Sequence, residues 1–478
     1  MTLVHILWIT NNSIINMLGV NTRAQYFKAP ISDASFIPGG LWLDVQPKNV
    51  IQENVKAPII FEWGCLHGYS YNMRDSRLIF KLKIQKSDGT AITKDNKYVR
   101  PVGAIGIKYF KRVEFYINNV PVHANLMELG PKFTLDTMFE KSSNSVNKDC
   151  LSGLNFIPQP EDERLVNTKE YFTSKKVDQL VDWTVFHVKL PLDVFRSGQN
   201  FPCFENINYE LRLFPQDDLI ALNYGYADPK DPQDGAEKEA VYKLLLKSDI
   251  KFSLRADLLS HDANVSLMSN VVGKNQPVSV WYRPSCVKLF TIAPDQYFKT
   301  FTNVYENEAP IGIYVTFINQ AAYMGSRTKD ATFLSPGKSF KSLSIYKNGT
   351  LIGTQKPLEL DLTNNEDLKS LFAHNLSVLG HDVFDNDLFW DYSSLMKGYF
   401  FMGCPIRPTS KHEGLDPVME DSVISGEVHF DANVAKETLI CFWYAVFNKT
   451  ALKIFYNGAV QSPFSMWKNE CFNKHWNK

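Results

Sequence analysis

The sequence predicts an all-β protein made of two tandem antiparallel β-sandwich domains, with short helices confined to loops. Three observations support this prediction. Period-two alternation dominates the chain, one hairpin pattern occurs twice about half a chain apart, and aromatic residues make up 13% of the 478 residues. Alternation places one face of a strand on a core, and planar aromatic side chains pack well on such a half-buried pleated surface.

Strand-like segments far outnumber helix-like ones. Apolar residues occupy every second position most clearly in 78–84, 207–213, 250–256 and 311–317. Helical periodicity is weaker and is confined to 125–140, 237–246 and 365–372. The sequence therefore predicts strands at the first four segments and short loop helices at the other three.

The repeated hairpin pattern starts at Phe110 and again at Phe340, 230 residues later. Both copies, 110–122 and 340–352, read Phe-Lys, then two apolar residues at alternate positions, then Tyr-x-Asn followed by Asn or Gly. Asn-Asn and Asn-Gly tolerate positive φ angles, so each copy predicts a strand, a two-residue turn and a second strand. A period this long does not fit a solenoid, whose units are about 20–50 residues. The repeat instead predicts two similar β-domains in tandem.

A stretch rich in Pro, Gly and charge, 227–235, interrupts the strand pattern and predicts a linker. Domains with about eight strands and long loop insertions suit jelly rolls or Greek-key sandwiches. The predicted division is an N-terminal arm (1–56), a first sandwich (57–230), a linker (231–247), a second sandwich (248–460) and a C-terminal tail (461–478).

Composition narrows the classes of function. The 51 basic and 51 acidic residues give a formal net charge of +0, which argues against a protein that mainly coats nucleic acid. Seven scattered cysteines without a CxxC pair favour reduced thiols in the cytosol or nucleus. No basic residue precedes the apolar stretch 3–9, so no signal peptide is expected. No run of about 18 apolar residues predicts a membrane span.

Three motifs with potential chemistry are better explained structurally. The Gly-Lys-Ser at 337–339 lacks the upstream glycine of a P-loop and precedes a strand, so it predicts a turn. Cys65 and His67 share a strand face but carry no nucleophile signature. The acidic segment 382–387, near His374 and His381, lacks the order and the glycine of an EF-hand loop. We therefore expect no enzyme, no catalytic residue, no cofactor and no metal site.

The residues of the repeat also carry a family resemblance, together with other segments of both halves. The segments that carry it are 113–119, 206–213, 305–310, 313–318, 322–325, 426–430 and 439–444. In these segments the chain resembles the major capsid proteins of Polinton/Maverick elements and the related adintoviruses.

The resemblance implies a double jelly roll, with two tandem antiparallel eight-stranded jelly rolls. It implies a homotrimer whose six rolls form a pseudo-hexameric capsomer of an icosahedral shell around double-stranded DNA. The expected location is the virion, assembled in the nucleus or cytoplasm. Expected partners are neighbouring capsomers and a minor or penton single jelly-roll capsid protein, with packaged DNA on the inner face as a further candidate. The arm 1–56 and the tail 461–478 are expected to make inter-capsomer or inner-surface contacts.

Two other classes of function stay open on the sequence. A carbohydrate-binding or hydrolytic β-sandwich protein would require a cleft with stacked Trp or Tyr and paired carboxylates, which cannot be read from the sequence. A minor or degenerate capsid-like protein without an assembly function would share the fold. The particle size of the purified protein distinguishes these classes from a major capsid protein.

Overall fold

The computed structural model describes most of the chain between residues 35 and 462. The described residues are 35–53, 55–92, 99–102, 105–124, 129–140, 180–224, 241–306, 310–326, 335–337, 339–352, 358–379, 388, 390–392, 395, 399–405, 421–431 and 438–462. Most of the predicted arm and tail therefore lie outside the described residues.

Strands dominate the described residues, as the alternation predicts. Those of the first half are β1 (Leu41–Val45), β2 (Ile59–Trp63), β3 (Tyr69–Lys86), β4 (Val99–Pro101), β5 (Phe110–Ile117), β6 (Val120–Ala124), β7 (Thr184–Val188), β8 (Phe201–Pro202), β9 (Tyr209–Pro215), β10 (Leu222–Tyr224), β11 (Tyr242–Leu246) and β12 (Lys251–Leu258). Those of the second half are β13 (Val278–Tyr282), β14 (Ser285–Ile292), β15 (Phe298–Tyr305), β16 (Gly312–Asn319), β17 (Phe340–Lys347), β18 (Thr350–Leu351), β19 (Leu358–Glu359), β20 (Met402–Pro405), β21 (Ile424–Phe430), β22 (Leu439–Val446), β23 (Thr450–Ile454) and β24 (Val460–Gln461).

The helices are short and lie between strands. They are α1 (Ile105–Lys108), α2 (Leu129–Glu140), α3 (Asp218–Ala221), α4 (His261–Met268), α5 (Gln320–Met324) and α6 (Asn365–Leu379). A 3₁₀ turn at Asp193–Arg196 and a π-helical turn at Ser269–Gly273 complete the helical elements. Within the described ranges, no helix is both long and apolar enough to span a membrane.

Two four-stranded arrangements occur twice in the chain with the same order. In the first half, β1-β12-β3-β7 lies within a six-stranded sheet that also contains β8 and β11, and β2-β9-β5-β6 forms the other sheet. In the second half, β14-β22-β16-β20 and β15-β21-β17-β18 repeat these orders. All of these pairs are antiparallel. The fold is thus two jelly rolls in tandem, which we call roll 1 and roll 2.

Each roll has its own hydrophobic core between its two sheets. The core of roll 1 contains Phe61, Phe80, Phe115 and Tyr209, with Trp63 stacked on Tyr209 at 5.7 Å between ring centroids. The core of roll 2 is centred on residues such as Phe317, Phe340 and Trp443. Aromatic residues are numerous in both cores beside the aliphatic ones, in keeping with the aromatic-rich composition.

The structure confirms both predicted hairpins. β5 pairs with β6, and β17 pairs with β18, around turns at Asn118–Asn119 and Asn348–Gly349. All four turn residues have positive φ, at 48°, 63°, 50° and 78° in chain order. This is the left-handed conformation that Asn and Gly tolerate and that a tight two-residue turn requires.

The four predicted strands are confirmed in β3, β9, β12 and β16, and two predicted helices correspond to α2 and α6. The helix predicted over 237–246 is wrong at its described end, because 242–246 form strand β11. Tyr242, Leu244 and Leu246 alternate with Lys243 in this strand, and the whole segment pairs with β3. The periodicity of so short an apolar segment does not distinguish a helix from a strand, and hydrogen bonding to the long strand β3 makes it a strand.

Three strands pair across the domain boundaries that the sequence predicts. β1 lies inside the predicted arm 1–56 but pairs with β12 as a strand of roll 1. β11 lies in the predicted linker 231–247, and β12 lies beyond it, yet both pair with consecutive parts of β3. Alternation shows that 250–256 is a strand, but it does not show which sheet that strand joins.

Candidate functional site

The junction between the two rolls contains a group of buried charged side chains, and we treat it as the candidate functional site. Helix α2 extends from roll 1 into roll 2. Its Leu135 and Met138 belong to the core of roll 2 rather than to that of roll 1. Phe139 of the same helix contacts the rings of Tyr314 and Phe401, with centroids 4.5 and 4.9 Å apart. One face of α2 is therefore part of the second core.

A buried ion network lies on the same helix. Lys132 Nζ is 2.9 Å from a carboxylate oxygen of Asp136 and 2.9 Å from one of Asp193. Arg196 contacts Asp136 at 2.9 Å. The side chains of Lys132, Asp136 and Asp193 are only 3–6% exposed. Two cations and two anions balance each other, as buried charges require.

Roll 2 completes this network with hydrogen bonds. The Tyr444 hydroxyl donates to Asp136 Oδ1 at 2.7 Å. Ser285 donates to Asp193 Oδ2 from its backbone N–H at 2.8 Å and from its hydroxyl at 2.7 Å. Both carboxylates therefore hold a cation of roll 1 and a donor of roll 2 at the same time. Their geometry couples the position of one roll to that of the other.

The electrostatics of the junction follow from its burial. Burial alone lowers the pKa of Lys132, but the adjacent carboxylates of Asp136 and Asp193 outweigh it, so that the pKa is raised. Burial, followed by the negative charge of Asp136, raises the pKa of Tyr444 well above its ordinary value. At neutral pH the amine stays charged and the phenol stays neutral, which are the two protonation states that the hydrogen bonds need.

The second half also packs against the first. Strands β13, β23 and β24 form a small sheet, and Val280, Leu452 and Ile454 of this sheet are fully buried in the core of roll 1. The backbone N–H of Trp281 donates to Gln199 Oε1 at 2.7 Å. Each half of the chain thus completes the core of the other roll: α2 in one direction and the β13-β23-β24 sheet in the other.

The first hairpin turn joins this second contact. Asn118 Nδ2 donates to the carbonyl of Gly458 at 2.8 Å and to that of Asn206 at 2.7 Å. Asn118 Oδ1 accepts the N–H of Asn208 at 2.7 Å. In roll 2, Asn348 Oδ1 accepts the N–H of Val423 at 2.8 Å in the same way. The turn asparagine of each roll thus clamps the start of the neighbouring strand, and only Asn118 also reaches the other half of the chain.

Two of the motifs weighed in the sequence include described residues. Cys65 Sγ lies 4.0 Å from His67 Nδ1, and burial followed by the negative charge of Glu205 raises the pKa of this thiol. A raised pKa opposes thiolate formation at Cys65. Gly337 adopts a φ of 79° in a turn that precedes β17, in agreement with the predicted turn. Its neighbour Lys338 lies outside the described residues.

The whole acidic segment 382–387 also lies outside the described residues, together with His381. His374 is described, and its Nε2 lies 2.8 Å from the carbonyl oxygen of Gly403. Within the described ranges, no group of three or more His, Cys, Asp or Glu side chains is placed to hold a metal ion.

Sequence reasoning did not identify the junction. The spacing of Lys132 and Asp136, four residues apart on a predicted helix, was a readable signal for an ion pair. Nothing in the local pattern showed that this pair would be buried between two domains. Asp193, Ser285 and Tyr444 are distant in the sequence and meet only in the folded protein.

The fold resembles that of several solved viral capsid structures. The cryo-EM structure of the Sputnik virophage aligns with 92% of this chain and 91% of that chain, with a TM-score of 0.56 and 10% identity. The crystal structure of the mavirus major capsid protein aligns over 94% and 96%, with a TM-score of 0.52 and 10% identity. The quasi-atomic model of the PBCV-1 virus capsid aligns over 91% and 99%, with a TM-score of 0.54 and 9% identity.

No family model matches the chain, and no curated protein matches it in sequence. Likeness at 9–10% identity is a likeness of fold. The alignments extend over nearly the whole of each chain, so the likeness includes both rolls. The chain therefore has the double jelly-roll fold, as predicted.

Proposed function

We propose that the protein is the major capsid protein of an icosahedral double-stranded DNA virus or virus-like element. In this proposal it assembles as a homotrimer whose six jelly rolls form a pseudo-hexameric capsomer. The observation that carries the proposal is the duplication within one chain of both sheet orders, joined through a buried junction. A rigid pair of similar sandwiches lets three chains occupy a site of near sixfold shape with closed threefold symmetry. The similar solved structures come from viral capsids, which supports this function.

We propose a revised division of the chain to go with this function. The pairing of β12 with β1 and β3 supports a roll 1 that extends to about residue 258. The parallel with β14 and β22 supports a roll 2 over about 285–447. The segment 259–284 then connects the rolls, and the predicted linker 231–247 becomes a loop insertion of roll 1.

The proposed location is the virion, with assembly in the nucleus or cytoplasm of the host. The proposed partners are other copies of this chain, a minor or penton single jelly-roll protein, and packaged DNA at the inner face. Segments 1–34 and 463–478 are the proposed sources of contacts between capsomers. Removal of 1–34 is expected to leave trimers intact and to prevent closed shells. Normal shells from the shortened chain would contradict this role.

The class of function is tested by particle size. The purified full-length protein is expected to sediment as a species of three times the 54.6 kDa chain mass. Negative-stain images are expected to show hexagonal particles, and shells under assembly conditions. A monomer that binds oligosaccharides on a glycan array would support a carbohydrate-binding β-sandwich instead. A stable monomer without ligands or shells would support a degenerate capsid-like protein.

The finer proposal is membership in the Polinton/Maverick and adintovirus group. It is supported by the hairpin segment 113–119 and by the segments 313–318 and 322–325 on which the resemblance rests, which form β5, β16 and α5 here. Co-expression with a single jelly-roll protein encoded beside this chain tests it. Closed shells that need both proteins would agree with the placement. The absence of any such neighbouring gene would count against it.

A further inference from the structure

In roll 2, the sheet that contains β22 is covered on both faces. Trp443 points toward the other sheet of the same roll, since its ring lies 5.3 Å from that of Phe301 in β15. Tyr444, the next residue, therefore points away from the roll, and its hydroxyl bonds to Asp136 of α2. The outward face of this sheet is thus buried by a helix of roll 1.

In roll 1, the corresponding sheet has an open outward face. β12 occupies the place of β22 in the repeated strand order. Phe252 of β12 points into the core, because its ring lies 5.4 Å from that of Trp63 in the other sheet. The opposite face of β12 carries Lys251 and Arg255, whose side chains are 34% and 29% exposed. The two rolls therefore differ in whether this face is covered.

The open face is cationic and contains an exposed tryptophan. We call Trp42, Arg77, Lys83, Lys251 and Arg255 the basic face. Trp42 is 45% exposed, and the guanidinium carbons of Arg77 and Arg255 each lie 5.6 Å from the centre of its ring. Lys251 and Arg255 are paired with aspartates, whereas Arg77 and Lys83 have no carboxylate partner among the described residues. The face therefore combines excess positive charge with Trp and Arg, which are enriched at the energetic centres of protein interfaces.

A complementary negative surface lies at the start of α6. We call Glu359, Asp361, Glu366 and Asp367 the acidic end of roll 2, and all but Asp367 are exposed. Lys369 is the one cation in the sequence between 359 and 370, so four carboxylates stand against one ammonium group. Acidic residues in a first turn also stabilise their own helix, but Glu359 lies before the helix, in β19.

The acidic end lies at a side of roll 2 that is suited to meet a neighbour. β20 is the last strand in the order of its sheet, and Asn375 of α6 bonds beside it. Asn375 donates to the carbonyl of Phe401 at 2.6 Å and accepts the N–H of Gly403 at 2.9 Å. Helix α6 follows the second hairpin as α2 follows the first. The helix that follows the hairpin in roll 1 covers the next roll, and α6 is the corresponding helix in roll 2.

We propose that the basic face of roll 1 binds the acidic end of roll 2 in a second copy of this chain. The contact between chains then repeats, with charged groups, the contact that α2 makes within the chain. Contacts of this head-to-tail kind close into a ring when the rotation between copies permits. Opposite charges across an interface favour association and fix its register. This inference rests on the proposed function, because it names the surfaces through which the homotrimer forms.

The experiment is sedimentation velocity of the full-length protein over a range of concentrations. Arg77→Glu combined with Lys83→Glu reverses the basic face, and Glu359→Lys combined with Glu366→Lys reverses the acidic end. Each pair of substitutions is expected to raise the concentration needed for half-assembly at least about tenfold, because like charges then meet. All four substitutions in one chain restore opposite charges and are expected to restore the trimer. A combined variant that assembles no better than either pair would overturn the proposal.

A matched control separates this contact from a general effect of charge. Lys274→Glu combined with Lys453→Glu reverses two exposed cations outside the basic face and is expected to leave assembly unchanged. An unaltered protein that stays monomeric would overturn the proposed function, and this inference with it. A trimer that withstands reversal of the basic face would overturn this inference alone.

The tryptophan provides a second test that does not change charge. Trp42→Ala is expected to weaken the trimer at least about thirtyfold, as removal of a central interface residue does. Trp281→Ala is the control, because Trp281 is 52% exposed and lies outside the basic face, on β13. Circular dichroism checks that each variant is folded. Equal assembly of the two tryptophan variants would contradict a contact at Trp42.

Discussion

Tyr444 of roll 2 donates a hydrogen bond of 2.7 Å to Asp136, which lies in a helix of roll 1. The two residues are 308 positions apart in the chain, and both are buried. Asp136 also holds Lys132 and Arg196, so this bond ties the second roll to an ion network of the first. The rolls are thus joined by polar bonds of defined direction as well as by apolar contact.

Removal of this hydroxyl is expected to weaken the junction. Tyr444→Phe takes one donor from a buried carboxylate and should lower the free energy of unfolding by about 1–3 kcal/mol. Urea unfolding followed by circular dichroism measures the change. Tyr346→Phe is the matched control, because that hydroxyl makes a longer bond of 3.3 Å to Glu427 in a part-buried position. Equal effects of the two variants would contradict a special role for Tyr444.

Loss of the central cation is expected to cost more. Lys132→Met leaves Asp136 and Asp193 short of one buried positive charge and should lower the free energy of unfolding by about 3–5 kcal/mol. Lys288→Met is the matched control, since Lys288 makes only a cation–π contact with Tyr305 at 5.2 Å among its described interactions. That contact is worth about 0.5–1 kcal/mol. A cost for Lys132→Met as small as that of the control would show that the network is not needed for stability.

Stability is expected to fall in alkaline solution above about pH 10, the ordinary pKa of tyrosine. The raised pKa of Tyr444 means that the unfolded chain releases this proton at a lower pH than the folded protein does. The raised pKa of Lys132 means that its stabilising charge is present at lower pH and is lost as the pH rises through the folded value. Deprotonation of either group as the pH rises therefore lowers the free energy of unfolding.

Urea unfolding at a series of pH values between 8 and 11 measures this dependence. Tyr444→Phe should lose stability less steeply over this range than the unaltered protein, because one of the two groups is gone. Tyr346→Phe should keep the steep slope. Parallel curves for all three proteins would assign the alkaline loss to other buried tyrosines, such as Tyr209.

The two turn asparagines are expected to differ in importance. Asn118→Gly removes three side-chain hydrogen bonds, one of them to Gly458 in the other half of the chain, and should cost about 2–3 kcal/mol. Asn348→Gly removes one such bond, to Val423, and should cost about 1 kcal/mol. Glycine accepts the positive φ at both positions, so neither substitution adds backbone strain to the difference in stability. Thermal unfolding midpoints rank the variants, and the reverse order would contradict the contact with Gly458.

A close approach in roll 2 is expected to exclude any side chain at Gly426. A Cβ built there would lie 2.4 Å from a ring atom of the fully buried Trp443 and 2.8 Å from the carbonyl oxygen of Ser344. Gly426→Ala should therefore destabilise roll 2 by about 1–3 kcal/mol. Gly64→Ala is the control, because that position is open and has no positive φ. Hydrogen exchange should localise the loss to β21 and β22, and unchanged protection there would argue against the clash.

Local patterns predicted the parts of the fold that depend on local physics. The alternation at 78–84 and 311–317 became β3 and β16, and the Asn-containing turns became the hairpins β5–β6 and β17–β18. The helix predicted at 237–246 failed at its described end, because pairing with β3 outweighed a weak local preference. The segment 227–235 has the composition of a linker, but it does not mark the end of the first sheet. Strand β12, which follows it in the chain, still pairs with β3.

By itself, the sequence determined that this chain alternates with period two, turns tightly at Asn118 and Asn348, and carries two similar halves. Each of these depends on a residue and its near neighbours. Only the tertiary structure decided that β12 belongs to roll 1 and that α2 completes the core of roll 2. It also decided that Asp136 and Asp193 bind cations from one roll and donors from the other. Strand partners and buried charges are settled by the total energy of distant contacts, which no short window of sequence contains.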